Sequence, residues 1–221
     1  MTHPLFDLSG RVALVTGAAS GMGRAMAIGF VEVGADLLLA DIDSAGVGRT
    51  AEQITALGRR AVAVTCDITK LDELDALFER LDREYGRIDI LGNVYGPGTM
   101  SQPEETPIAE IEYVLHGLVA YGMGMAAVVH LTRELSTHWS SRGVRVNAIL
   151  PAQVMNPGPE ERTRQTPGLA DVFLRRIPAG RFGRPDDING LAIFLASDAS
   201  DWITGAIVPM DGGNLAKNSG G

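Results

Sequence analysis

Eight residues near the amino end, Thr16-Gly17-Ala18-Ala19-Ser20-Gly21-Met22-Gly23, hold three glycines between an apolar run and a helical pattern. Glycine permits a tight turn and close approach of a ligand to the backbone. The helix that follows offers unpaired N–H groups and a positive dipole end, which suit a pyrophosphate. A plain tight turn would use glycine too. The position, at the first strand-to-helix junction of an alternating chain, is what points to a dinucleotide. Asp41 ends the second apolar run, 24 residues after Gly17. A carboxylate there can accept hydrogen bonds from both ribose hydroxyls of an adenosine and repel a 2′-phosphate, favouring NAD over NADP. An acidic helix cap is the competing reading. Asp67-Ile68 follows the third run, where an adenine edge would lie, and also reads as an ordinary strand-end turn.

The elements that must position these residues alternate. Residues 11–16, 36–41, 60–66 and 88–93 are short apolar runs that read as strands. Helices are expected over 21–34, 44–58 and 70–85, the second capped by Ser44 and the last stopped by Gly86. In the third, Leu71, Leu74, Leu77, Phe78 and Leu81 share one face. This order predicts an α/β fold: a Rossmann-like, doubly wound parallel sheet with helices on both faces. Further along, 104–116, 120–140, 159–176 and 185–197 read as helices, and 143–150 and 206–210 as strands. Pro157, Gly158, Pro159 and Pro167 mark a loop region able to move over a ligand. With no repeat or linker, one domain over 1–221 is expected.

Composition excludes several classes. The 221 residues carry 19 Lys+Arg against 27 Asp+Glu, a net charge of −8, so a nucleic-acid partner is not expected. Apolar residues at 45% and charged ones at 21% match a globular chain. Cys66 is the single cysteine, which fits a reducing, cytoplasmic setting. Tyr113 to Thr132 lacks Asp, Glu, Lys and Arg, but its histidines, tyrosines and glycines argue for a core or subunit interface rather than a membrane span. His116, His130 and His138 show no metal-ligand pattern; packing or capping is expected of them.

The chain resembles the short-chain dehydrogenase/reductase family over nearly its whole length. Thr16 to Gly23 is similar to that family's T-G-x-x-x-G-x-G. Arg142 to Ile149 looks like the strand after its catalytic helix, and Arg181-Phe182-Gly183-Arg184-Pro185 and Thr204-Gly205 through Asp211-Gly212-Gly213 look like its later signatures. The opening Pro4 to Gly10 is similar to the gluconate 5-dehydrogenase branch. The resemblance implies an NAD-dependent oxidoreductase, a homotetramer or homodimer, acting on a small alcohol or carbonyl. Its cofactor residues would be Gly17, Ser20, Gly21, Met22, Gly23, Asp41, Ile42, Asp67, Ile68, Asn93, Tyr95, Gly96 and Val154, with Tyr121 catalytic. Val154 would lie beside the nicotinamide amide, and the uncharged helix 118–135 would form the subunit interface.

The chain departs from the family in three motifs and in one missing segment. N-N-A-G reads Asn93-Val94-Tyr95-Gly96, whose ring could crowd or stack on adenine. Y-x-x-x-K reads Tyr121 to Met125, without the lysine. P-G-x-[IV]-x-T reads Pro151 to Asn156. Only 24 residues separate Gly96 from Tyr121, too few for the strand that carries the family's serine; Ser101 sits too early to replace it. A strand with its crossover takes roughly 30 residues, so about that many are expected to be missing near His116-Gly117. Three outcomes stay open: 113–120 forms a makeshift strand, the sheet rearranges around a gap, or the molecule has residues this chain omits.

These departures bear on chemistry. Tyrosine titrates near pH 10 and needs an adjacent cation to act as a base near neutrality. Met125 supplies none, and two or three lost pKa units, at about 1.4 kcal/mol each, amount to several kcal/mol. Weak dehydrogenation is expected, with reduction by a neutral Tyr121 still open. A catalytically impaired dinucleotide-binding protein with a scaffolding or sensing role is the alternative, in which Tyr121 is a core or interface residue.

Overall fold

The computed structural model describes residues 3–94, 118–165 and 167–218. In chain order the elements are β1 (Val12–Thr16), α1 (Gly21–Glu32), β2 (Asp36–Asp41), α2 (Ser44–Ala56), β3 (Ala61–Thr65), α3 (Leu71–Tyr85), β4 (Ile90–Gly92), α4 (Leu118–Trp139), β5 (Ala148–Pro151), α5 (Pro157–Gln165), α6 (Leu169–Leu174), α7 (Asn189–Ala196), β6 (Ile207–Met210) and α8 (Asn214–Asn218). They fall into two compact units. One comprises Met1–Val94, Pro151–Ser200 and Pro209–Gly221; the other comprises Tyr95–Leu150 and Asp201–Val208.

The first unit holds a parallel sheet of order β3-β2-β1-β4. This is the expected Rossmann-like arrangement, with right-handed crossovers as the default for such connections. Every residue of β1 is buried, as are Leu37 to Ala40 of β2. Side chains alternate across a strand. Val12, Leu14, Leu38 and Ala40 therefore share a face, which packs with Leu77 and Leu81 of α3 and with Cys66. The opposite face of β1 and β2 is covered by α1, which also packs on α7. Burying a leucine such as Leu77 contributes about 2 kcal/mol before cavity terms.

Several boundaries differ from expectation. Asp43, not Ser44, caps α2: its side chain accepts the Gly46 N–H at 3.0 Å. On α3 the stripe against the sheet is Leu74, Leu77 and Leu81, while Leu71 and Phe78 are exposed at 79% and 44%. The expected helix over 159–176 is two helices. Pro167 cannot donate to a helix ladder, and Gly168 has φ +81°, outside the helical region. The proline-rich stretch is not a loop throughout, because α5 begins at Pro157, where a first-turn proline is tolerated.

In the second unit, α4 spans the position of Tyr121 and Met125. Within 113–120, Leu118 to Ala120 are helical rather than strand; the junction at His116-Gly117, the expected helix 104–116, and Tyr95 and Gly96 lie outside the described residues. β5 starts at Ala148, later than expected, since Val146 pairs instead with the Thr204 hydroxyl and the Gly205 N–H. β5 and β6 form a separate two-stranded sheet, so among the described residues the continuous sheet ends at β4. His138 Nδ1 hydrogen-bonds the Glu134 carbonyl at 2.8 Å, and His130 lies 3.8 Å from Glu134. Among the described residues no helix is long and apolar enough to cross a membrane.

Candidate functional site

The glycine loop leaves β1 at Thr16 and enters α1 at Gly21. Gly17 has φ +65°, and a Cβ on it would overlap the Val94 carbonyl oxygen. A Cβ on Gly23 would overlap the Gly17 carbonyl, so only glycine lets α1 start this close to the loop. Ser20 is the N-cap residue of α1 but makes no capping bond. The first-turn N–H groups of α1 thus have no side-chain cap, which is the arrangement that accepts an anion.

Asp41 is built into this loop. One carboxylate oxygen accepts the Ala19 N–H at 2.9 Å and the other accepts the Asp43 N–H at 2.9 Å. Asp41 is therefore not the cap of α2, a role Asp43 takes. A carboxylate has about four acceptor sites, so Asp41 keeps capacity for two hydroxyl donors. Buried Thr50 supports the loop from below, donating to the Ala18 carbonyl at 2.9 Å. Ile42 beside Asp41 is 70% exposed.

Asp67 adjoins Asp41 across the sheet, since the Cys66 N–H donates to the Asp41 carbonyl at 2.9 Å. Its carboxylate accepts the Thr69 N–H at 3.1 Å and the Thr69 hydroxyl at 2.7 Å. These Thr69 bonds hold the carboxyl below the usual range. The turn reading of Asp67 is thus realised, with the second oxygen facing Lys70 at 3.7 Å. Ile68 packs on the core cluster, so its side chain is committed to the interior.

Asn93 precedes Val94, whose N–H donates to Thr16 Oγ1 at 3.1 Å. Val154, 5% exposed, pairs with Gly183 in an isolated parallel bridge. Asn156 is the residue that sequence reasoning left without a role. Its Oδ1 is buried without a hydrogen-bond partner and stands where a Cβ on Gly21 would fall. A buried amide oxygen without a partner costs about 1–3 kcal/mol, a state Asn156 shares with Asn189. The only advance signal was Asn in place of the family's threonine. In the first unit Asp41 reaches the glycine loop directly, Asn93 adjoins it through Val94, and Val154 through Asn156. Tyr121 lies in the first turn of α4, in the second unit. Met125 is partly buried.

Comparison with known proteins agrees with this geometry. A short chain dehydrogenase profile matches residues 11–117, and one described as Enoyl-(Acyl carrier protein) reductase matches 108–214. 2-Dehydro-3-deoxy-D-gluconate 5-dehydrogenase of Escherichia coli K12 is 30% identical over 253 aligned residues, covering 96% of this chain and 98% of that protein. Since 96% of 221 is about 212, about 40 of those 253 positions have no residue here. A structure described as a gluconate dehydrogenase from Agrobacterium tumefaciens superposes with TM-score 0.91 at 28% identity, over 97% of this chain and 99% of that one. A gluconate 5-dehydrogenase structure from Beutenbergia cavernae, with bound NADP, gives 0.88 at 33% over 96% and 99%. The chain belongs to the short-chain dehydrogenase/reductase family, whose members are NAD(P)-dependent oxidoreductases acting on small molecules.

Proposed function

We propose that this chain binds NAD(H) at the glycine loop and transfers hydride between the nicotinamide and a small alcohol or carbonyl of the sugar-acid or polyol class. The observation that carries the reading is Asp41: its carboxylate holds the Ala19 N–H beside the uncapped end of α1. The residues fit the cofactor. Gly21, Met22 and Gly23 would hold the pyrophosphate, Asp41 with Ile42 the ribose, Asp67, Ile68 and Asn93 the adenine side, and Val154 and Asn156 the nicotinamide side. Asp41 would repel a 2′-phosphate, which supports NAD over NADP.

The bound nicotinamide supplies or accepts the hydride; the protein must handle the proton on the substrate oxygen. Tyr121 as a neutral phenol can give its proton to a carbonyl oxygen, which serves reduction. Oxidation needs that proton removed, and Met125 offers no charge to lower the phenol pKa. Giving that proton leaves a tyrosinate that Met125 does not stabilise either, so both directions should be slow. Similarity to a 2-dehydro-3-deoxy-D-gluconate 5-dehydrogenase supports the substrate class. Titrating NADH and NADPH fluorescence tests the cofactor, followed by NADH oxidation with keto sugar acids. Preference for NADPH, or no binding of either at micromolar concentration, would overturn the reading.

Met125 also favours a second reading, a dinucleotide-binding protein without turnover and with a scaffolding or sensing role. NADH binding with no oxidation by any keto acid or ketose would select it. We further propose a homotetramer or homodimer through α4, where Met123, Val128 and Leu131 are exposed at 56%, 46% and 53%, in the cytoplasm, which the single buried thiol of Cys66 supports. Light scattering of a Leu131→Glu variant would show a smaller species; an unchanged mass would remove this helix from the interface.

A further inference from the structure

Val154 stands on a segment that no regular element confines on both sides. Beside it lies a cavity of about 310 Å³, bordered by Gly183, Asp187, Met210 and Gly212, so the segment is open to space on that side. Backbone pairing holds it instead. The Gly183 N–H donates to the Gln153 carbonyl at 3.0 Å, and the Met155 N–H donates to the Gly183 carbonyl at 2.9 Å, gripping Val154 from both neighbours. A Cβ on Gly183 would press to 3.0 Å from Val154 Cγ2. One residue on, the Asn156 N–H donates to the Val154 carbonyl at 3.0 Å, and the Asn156 side chain reaches Gly21.

The loop that carries Gly183 is closed by one carboxylate. Asp187 accepts Arg181 Nη1 at 2.6 Å and Nη2 at 3.2 Å on one side of Gly183. On the other side it accepts the Arg184 N–H at 2.8 Å. Arg181 Nη1 also donates to the Phe182 carbonyl at 2.9 Å. The Arg181 bonds and the Arg184 N–H together hold the Asp187 carboxyl down at about 2, so it stays ionised throughout the physiological range. The guanidiniums of Arg181 and Arg184 are 56% and 73% exposed. Ion pairs so open to water add little stability. A bidentate pair does fix geometry, however.

We propose that Asp187 is a positioning residue: its carboxylate closes loop 181–187 so that Gly183 clamps Val154 and Asn156 at the nicotinamide side of the cofactor site. This rests on the NAD(H) reading. The adenine side is held separately, by Asp41, Thr50 and the α2 cap. Asp187 therefore acts on the nicotinamide half of the dinucleotide and leaves the ADP-ribose half alone.

Calorimetric titration of NADH and ADP-ribose against the wild type, Asp187→Asn, Asp187→Glu and Arg181→Lys tests this. Asp187→Asn should weaken NADH about tenfold and leave ADP-ribose within about twofold, the scale of a lost supporting contact. Asp187→Glu should restore most of the NADH affinity. Arg181→Lys, which keeps the charge and removes the fork, should repeat the selective loss and serves if Asp187→Asn does not fold. Unchanged NADH affinity in a folded variant, or a proportional loss of both ligands, would overturn the clamp. A wild-type chain that binds neither ligand overturns the cofactor reading itself, a different outcome from a clamp that fails while binding persists.

Discussion

Thr16 Oγ1 accepts the Val94 N–H at 3.1 Å, joining the end of β4 to the first residue of the glycine loop. Thr16 is 4% exposed and the Val94 N–H is partly buried, so that N–H has limited access to water as an alternative partner. Thr16→Val keeps the shape and removes the acceptor. The expected loss is about 1–2 kcal/mol of stability, the cost of a buried donor left unpaired. NADH affinity should fall with it, because the Val94 carbonyl abuts Gly17. Urea unfolding and NADH titration of the same variant check both; if neither moves, the bond does not shape the loop.

Gly23 gives a sharper test of the same loop. A helical Gly→Ala change ordinarily gains about 1 kcal/mol of propensity. Here the added methyl would overlap the Gly17 carbonyl. Gly23→Ala should therefore push α1 away from the loop and weaken NADH by at least about tenfold, or about 1.4 kcal/mol. Wild-type affinity in this variant, measured by calorimetry, would mean the helix start tolerates a shift and the close approach is unimportant.

The elements around the glycine loop were legible because their signals are local. Thr16 to Gly23 sits between a strand and a helix that each declare themselves by pattern, and β2 was read to the residue. Where two neighbours compete the pattern is blind: Asp43 and Ser44 are both good caps, and only the path of the chain brings Asp43 to the Gly46 N–H. Pro167 and Gly168 carried a break that the long helix reading overrode. Asn156 against Gly21, and Asp187 acting on Val154 through Gly183, join residues far apart in sequence. No periodicity announces such contacts; they exist only once the strand ends are stacked side by side. Tyr121 is placed in the sequence by its downstream flank, Arg142 to Ile149, rather than by its own chemistry.

Tyr85 predicts a pH effect remote from the site. Its hydroxyl donates to the Leu37 carbonyl at 2.8 Å, and Arg60 lies 4.3 Å above its ring. Burial pushes its pKa up to about 12, with Arg60 opposing. The folded chain thus keeps this proton more tightly than the unfolded chain, whose tyrosine titrates near 10. The corresponding stability is whole below pH 10 and is lost as pH rises toward about 12, on the order of 1 kcal/mol after solvent screening. The tyrosinate absorbance of wild type minus Tyr85→Phe should rise only above about pH 11. A difference midpoint near 10 would show that this hydroxyl is not held as described.

Met125 is where sequence and chemistry collide most directly. Tyr121 and Met125 are four residues apart on α4, the i,i+4 relation of helix positions that are neighbours. A lysine at 125 would bring an ammonium beside the phenol. An adjacent cation lowers a phenol pKa by favouring the charged form. If Tyr121 handles the proton, Met125→Lys should raise the rate of alcohol oxidation by at least about tenfold, for one pKa unit recovered. The pH profile of oxidation should also move toward neutrality, and carbonyl reduction should rise with it, because the same cation stabilises the tyrosinate left when the phenol gives its proton. Both directions are measurable by NADH absorbance across pH 6 to 10. If oxidation stays flat while NADH still binds, Tyr121 is not the proton carrier.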